Sequence, residues 1–287
     1  MHHVRSRGTL ALGIWLALGL AASPEPDLKA VLQRAGAYAA DYHERFSALV
    51  AEERYVQRVG SAPARSSSAA VPPARERVLK SDYVIVRDFA GSNSWVGVRD
   101  VFDVDGEPVN ADRTRLQSLL SDTTRPLAGR VRALADLQAK YNLGDLYRTI
   151  NVPTLALEFL LPDRQTRFRF KRTGTTVFRD TPVWIVTFEE RDRPTIIRTP
   201  EGRDVRSSGM FWIDPATGAV LRSELRAGQI PGRPLHSIII VSYSHNARFE
   251  MLLPDDMNEL YFTGRTRIEG HATYTNFRRF ETEVRIK

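Results

Sequence analysis

A catalytic or metal site needs nucleophiles, bases or donor atoms at workable spacings, and in this chain those residue types are present but scattered. The six histidines are His2 and His3 at the start, His43 in a helical pattern, and His236, His245 and His271 among strands. None stands in an HxH or HExxH spacing, so local geometry prepares no pair of them for zinc. The chain has no cysteine, which removes thiolate ligands, disulfides and a thiol nucleophile together. Its serines lack a GxSxG elbow, since "AGSNSWVG" and "RSSGM" read as plain turns. Neither GxxxxGKS nor GxGxxG occurs, so no phosphate cradle is encoded. The expectation is no cofactor, no metal and no catalytic residue.

The carboxylates point the same way. Glu189 and Glu190 adjoin in a strand, where neighbours face opposite sides, and so cannot flank one glycosidic bond. Asp255 and Asp256 follow Pro254 in what reads as an exposed turn. In "DVFDVDGEP", aligning Gly106 with the glycine of a calcium loop puts Val101 where the first carboxylate is required, so Asp105-Gly106 reads as a hairpin turn. Asp100 shares a face with Val96, Val98, Phe102 and Val104, and a carboxylate there needs an arginine beside it. "RFRFKR" alternates Phe168 and Phe170 with Arg167, Arg169 and Lys171, a pattern that suits stacking on bases or lipid headgroups and equally a half-buried strand.

The elements that would position these groups fall into separate helical and extended blocks. From Asp27, apolar residues at Leu28, Val31, Leu32, Ala35, Ala39, Tyr42, Phe46 and Leu49 recur at helical spacing, which predicts a helix over 27–47 capped by Asp27, then a first strand. Residues 60–74 are rich in Ser, Ala and Pro and read as a flexible loop. Mid-chain, "ADRTRLQSLL" and "PLAGRVRALADLQAKYNLG" are helical patterns, and Pro153 opens a short helix over "TLALEFLLP". From Thr166 the pattern is extended to the end, including "PVWIVTFEER", "LHSIIIVSYS", "ARFEMLLPDDM", "NELYFTG" and "TRIEGHATYTNF". Helices grouped between strands argue for α+β and an antiparallel meander.

The most organised stretch is "MFWIDPATGAVLRSEL", residues 210–225. Asp214-Pro215 starts a turn and Gly218 supplies a positive φ at its end. Trp212 lies on the opposite face from Phe211 and Ile213, so both faces of this strand are apolar. Arg222 shares its face with Val220 and Glu224 and is expected in a cross-strand ion pair.

Residues 1–22 have the layout of a secretory signal: Arg5 and Arg7, an apolar run from Leu10 to Ala22, and small residues suited to cleavage near Ala21. The run falls short of the ~20 apolar residues that span a bilayer, and no second one follows. A periplasmic or secreted protein is expected, with residues 23–287 as a single domain. The 41 Lys and Arg against 34 Asp and Glu give +7, or +5 once Arg5 and Arg7 are removed. That balance is modest, and export makes nucleic acid an improbable partner.

An exported chain with this helix, a long meander interrupted by helices, and the residues Trp212, Ile213, Asp214, Pro215, Thr217, Gly218, Val220 and Arg222 resembles the periplasmic lipoprotein-carrier (LolA-like) superfamily, nearest its uncharacterised secreted members. "LPDDMNELYFTG" and "TYTNFRRFETEV" are similar in style to the closing strands of that superfamily. The resemblance implies an unclosed antiparallel half-barrel with the N-terminal and mid-chain helices packed on its concave face. It implies a non-catalytic carrier for a lipid or acylated partner. The apolar concavity would then be lined by Phe168, Phe170, Trp184, Phe188, Trp212, Leu221 and Tyr243. The alternatives are an envelope module binding a protein or anionic glycan through an arginine-bearing sheet face, or an unrecognised hydrolase.

Overall fold

The computed structural model describes residues 25–61, 74–87, 95–109, 116, 118, 129, 139–144, 148, 150–199, 201–230, 233–264 and 266–279. Residues 1–24, the Ser- and Pro-rich residues 62–73 and most of the two mid-chain helical patterns lie outside them.

Helix α1 runs from Leu28 to Phe46, one residue inside each expected boundary. The Asp27 carboxylate accepts the Ala30 N–H at 2.7 Å and so satisfies one of the amides left free in the first turn. Val31, Ala35, Gly36, Ala39, Tyr42, His43 and Phe46 form its buried stripe. Among the described residues eleven strands follow, β1 (Leu49–Ser61), β2 (Arg75–Arg87), β3 (Trp95–Val104), β4 (Glu107–Pro108), β5 (Phe168–Phe178), β6 (Thr181–Glu190), β7 (Arg206–Ile213), β8 (Val220–Ile230), β9 (Arg233–Asn246), β10 (Met251–Thr263) and β11 (Thr266–Arg279). Between β4 and β5 lie a 3-10 helix, Leu155–Leu160, and a helical turn, Pro162–Gln165.

All strands join one antiparallel sheet in the order β4-β3-β2-β1-β11-β10-β9-β8-β7-β6-β5. Each half is a run of hairpins, and the halves meet where β1 pairs with β11, from Leu49↔Arg279 to Ser61↔Thr266. β4 and β5 form the two edges, so the sheet is an unclosed half-barrel in an α+β fold. Alternation sends Ala51 and Tyr55 of β1, Tyr83 of β2, Val186 and Phe188 of β6, Phe211 of β7 and Tyr274 of β11 to the inner face, where α1 and the 3-10 helix cover them. All six residues of the 3-10 helix are buried. Turn chemistry follows the sequence: Asp105 and Gly106 both have positive φ, 55° and 91°, as a type I′ hairpin requires.

Several expectations are corrected. Leu116, in the mid-chain segment, is buried with Val50, Val84 and Val98 on the outer face, not in the concavity. "ARFEMLLPDDM" and "NELYFTG" are not two strands: Met251–Thr263 is continuous, with a bulge between Pro254 and Asp256. The bulge absorbs the missing proline N–H, so Asp255 and Asp256 sit within a strand and not in a turn. Asp255 accepts from Ser244 at 2.6 Å and pairs with Arg179 at 2.8 Å. Arg222 makes no ion pair among the described residues. It lies over Trp212, 5.2 Å from the ring centroid, while Glu224 pairs with Arg226 at 2.6 Å. In the outer-face row that contains Asp100, the neighbouring Asp82 is held by Arg278 at 2.8 Å.

The DPATG turn rests on α1. Gly218 has φ 80°, and a Cβ there would lie 2.4 Å from the Arg34 carbonyl carbon, so only glycine lets the turn reach the helix backbone. Arg34 then donates to the Pro215 carbonyl from Nε at 3.1 Å and from Nη2 at 2.8 Å.

Candidate functional site

The concave face is the candidate site, and its floor is aromatic. Phe168 of β5, Phe188 of β6 and Phe211 of β7 alternate inward from neighbouring strands, and Phe159 of the 3-10 helix descends onto them. Ring centroids are 4.8 Å apart for Phe159–Phe168, 5.6 Å for Phe159–Phe188 and 4.8 Å for Phe188–Phe211. Tyr243 packs edge-on against Tyr42 of α1 and donates to the Pro153 carbonyl at 2.6 Å. Of the seven residues expected in the concavity, Phe168, Trp184, Phe188 and Tyr243 are buried in this cluster, and Phe170 packs against it half-buried. Trp212 is not among them, because its register with Ile185 and Arg222 places it on the outer face. Leu221 is buried at the β7–β8 bulge, outside the cluster.

Side chains of α1 and the 3-10 helix fill the concavity over these rings. An opening remains at the seam between α1 and the Pro162–Gln165 turn. A groove of about 620 Å³ is lined by Leu28, Lys29, Leu32 and Gln33 of α1 and by Pro162 and Gln165. Leu28 and Leu32 pack against the main core, so the groove has an apolar wall continuous with it. The seam is latched by one side chain: Gln165 Nε2 donates to the Leu32 carbonyl at 2.8 Å and to the Leu160 carbonyl at 2.6 Å. Gly36 lets the pieces close, since a Cβ there would lie 3.0 Å from the Leu160 carbonyl oxygen.

The far end of the concavity holds a buried polar network. Arg99 binds Glu53 through two bonds, Nε to Oε2 at 2.6 Å and Nη2 to Oε1 at 2.9 Å, and donates to the Asn151 carbonyl at 3.0 Å. Ser81 donates to the same Glu53 at 3.1 Å. Arg148 donates to Tyr55 at 2.7 Å, to Gln57 at 2.8 Å and to the Leu143 carbonyl at 2.6 Å. Glu259 Oε2 accepts from Tyr55 at 3.1 Å and from Tyr261 at 2.8 Å, while its Oε1 is buried without a hydrogen bond. Burial pushes the Glu259 carboxyl above the ordinary range, against the pull of Arg99 and Arg148. The available signal was polar residues on apolar rows: Glu53 and Gln57 alternate with Ala51, Tyr55 and Val59, and Glu259 stands between Met257 and Tyr261.

Glu259 carries a pH prediction. A carboxyl raised in the folded state contributes stability that is fully present below its unfolded pKa of about 4.3 and lost as pH rises through the folded value. Glu259→Gln holds the site neutral throughout. The melting temperature of Glu259→Gln relative to wild type should therefore rise between pH 5 and pH 8, and a flat difference would show that Glu259 does not titrate in that window.

The remaining polar groups pair with neighbours on the two sheet faces. His271 pairs with Asp256 at 2.5 Å on the outer face, where the register sets Thr273 and Ser242 opposite Asp256 on its two neighbouring strands. Glu189 and Glu190 take opposite faces as expected, Glu189 pairing with Arg169 at 2.5 Å and Glu190 accepting from Ser207 at 2.8 Å. Among the described residues no three His, Cys, Asp or Glu side chains are grouped to hold a metal ion.

Fold and site together define a class: an α+β antiparallel half-barrel whose aromatic concavity is plugged by an N-terminal helix and a 3-10 helix. Solved structures of similar design include an outer membrane lipoprotein-sorting protein domain from Vibrio parahaemolyticus, at 10% identity, covering 89% of this chain and 95% of that one, with a TM-score of 0.39. A DUF1329 family protein from Desulfovibrio piger matches at 10% identity, 90% and 94% coverage and a TM-score of 0.36. A LolA superfamily protein from Nitrosomonas europaea matches at 10% identity, 90% and 96% coverage and a TM-score of 0.31. No protein-family model matches the sequence, and no curated protein matches it.

Proposed function

We propose that the protein is a non-catalytic binding protein that takes an acyl chain, of a lipid or of a lipidated partner, into the seam between α1 and the Pro162–Gln165 turn. The observation that carries this reading is the apolar groove of about 620 Å³ at Leu28, Leu32 and Pro162, which borders the aromatic core and is latched by Gln165 alone among hydrogen-bonding side chains of its lining. Burial of apolar surface favours an acyl chain there by about 0.8 kcal/mol per methylene. Deeper entry requires the plug to yield, and its seat includes buried hydroxyls of Tyr42 and Thr154 that have no hydrogen bond among the described residues. Such groups weaken the packed state relative to a fully satisfied core. Phe168, Phe170, Trp184, Phe188 and Tyr243 are the proposed lining of that deeper site. The apolar segment at 10–22 supports action in the periplasm or outside the cell, and no helix among the described residues is long and apolar enough to cross a membrane.

The test uses the full chain expressed with its leader. Solvent extraction followed by mass spectrometry should find acyl lipid in near-stoichiometric amount, and delipidated protein should take up a fluorescent fatty acid. Gln165→Ala, which unlatches the seam, should speed uptake several-fold. A protein that is empty and takes up no fatty acid in either form sinks the proposal.

A further inference from the structure

The seam that holds the acyl groove continues past its latch. Beyond Gln165 a second pocket of about 410 Å³ lies along the same helix, with Ala40, Asp41 and Glu44 of α1 on one side and Leu161, Pro162 and Trp95 on the other. Pro162 is a wall of both openings. Leu28, Leu32, Gly36, Ala40 and Glu44 recur every four residues, so one row of the helix runs from the first opening to the second. Burial along that row is complete only at Gly36: Leu28 and Leu32 are half-buried, and Ala40 and Glu44 are exposed. What covers Gly36 is the latch. A Cβ there would lie 2.8 Å from Gln165 Nε2 and 3.4 Å from Pro162 Cγ, so the Gln165 amide takes up the room that the missing side chain leaves. The barrier between the two openings is one amide at the end of a flexible side chain, seated on the Leu160 carbonyl.

The openings differ in charge. Lys29 is the one charged side chain in the lining of the first, among the described residues. The second has an apolar wall, since Trp95 and Leu161 both pack against the main core, but Asp41, Glu44 and Asp163 stand around it. Its arginine, Arg164, is bound to the buried carboxylate of Glu158. An anionic head is therefore favoured at the Lys29 end and disfavoured at the Trp95 end.

We propose that the seam is one channel for a single long-chain fatty acid, with its carboxylate beside Lys29, its chain crossing Gly36 once Gln165 swings aside, and its methyl end on Trp95 and Leu161. The inference rests on the carrier reading and adds the length, head and direction of the ligand. The helix rises about 24 Å from Leu28 to Glu44 but only about 12 Å from Leu28 to Gly36. An extended alkyl chain with bonds of about 1.5 Å advances about 1.3 Å per carbon, so the whole channel holds roughly 18 carbons and the first opening alone roughly 9.

The test titrates the delipidated full chain with saturated fatty acids of increasing length, read by displacement of a fluorescent fatty acid. Affinity should rise about twofold per carbon, half the value for full burial because the channel is open along one side, and should keep rising to about 16 to 18 carbons. Ala40→Trp, at an exposed position that the fold tolerates, fills the second opening, and the rise should then stop at about 10 carbons. Lys29→Glu should weaken the fatty acids about tenfold and the matching fatty alcohols far less. A wild-type rise that already stops at the latch overturns the inference and leaves the carrier reading standing. So does a rise that survives Ala40→Trp, which would carry the tail beneath the plug, and so does an equal loss of acids and alcohols in Lys29→Glu. Absence of binding at every length overturns both.

Discussion

Arg99→Ala should lower the melting temperature by roughly 6 to 20 °C, because it leaves a carboxylate buried without its counter-charge. Glu53 is fully buried and Arg99 is 5% exposed, so neither can turn to solvent. Removing one partner of such a pair costs about 3 to 5 kcal/mol, and a chain of this size shifts by about 2 to 4 °C per kcal/mol. The arginine also lies over the rings of Tyr55 and Tyr83, at 5.3 Å and 5.0 Å from their centroids, and supplies the Asn151 carbonyl with a donor. Truncation takes these away together. Replacing both charges, Arg99→Met with Glu53→Leu, should be markedly milder than Arg99→Ala alone, since the desolvation of both ions is then avoided. Thermal denaturation of the three variants decides it. A single mutant within about 1 kcal/mol of wild type would mean that the Arg99–Glu53 pair contributes little to the fold.

The contrast between what the sequence disclosed and what it hid has a physical basis. Period-2 alternation marked β6 and β7 because each is apolar on the covered face, and Asp27 with a stripe at three- and four-residue spacing marked α1. Gly218 was legible as a turn glycine, although its second duty, letting the turn touch the Arg34 backbone, depends on a helix some 180 positions away. The pairing of β1 with β11 was invisible for the same reason: no local pattern reports which distant strand closes a sheet. Pro254-Asp255-Asp256 has the composition of a turn, and only the partners β9 and β11 hold it in a strand by means of a bulge.

Side-chain roles were less legible than elements. Trp212 belongs by type with the concavity aromatics, yet parity puts it outside, where it takes Arg222 on its face in place of the expected ion pair. Glu53, Gln57 and Glu259 occupy rows where alternation calls for apolar residues, and that mismatch is the signal the sequence carries. Arg99 has the same character, with Gly97 and Val101 on its row. The glycine makes room: a Cβ at Gly97 would lie 2.3 Å from the Tyr83 hydroxyl, so the ring that flanks Arg99 extends into the space a side chain would fill. Buried polar networks of this kind are assembled from distant strands, and a single sequence shows only their members.

Phe159→Ala separates stability from binding and bears on the carrier proposal directly. Phe159 is fully buried, stacked on Phe168 and set edge-on to Phe188, so its truncation leaves a cavity between the 3-10 helix and the sheet. Phenylalanine to alanine in such a position costs about 3 to 5 kcal/mol, and the β6 wall, paired on both sides, cannot collapse far. The melting temperature should fall by roughly 6 to 20 °C. Binding should move the other way. If the plug competes with an acyl chain for the aromatic floor, loosening the plug lowers the work of displacing it, and the affinity of delipidated Phe159→Ala for a fluorescent fatty acid should rise by about tenfold. A cavity filled by ligand would also restore part of the lost stability, so added fatty acid should raise the melting temperature of the variant more than that of wild type. A variant that is destabilised to this degree but gains neither affinity nor ligand-dependent stability would show that the aromatic floor is only the core beneath a fixed helix.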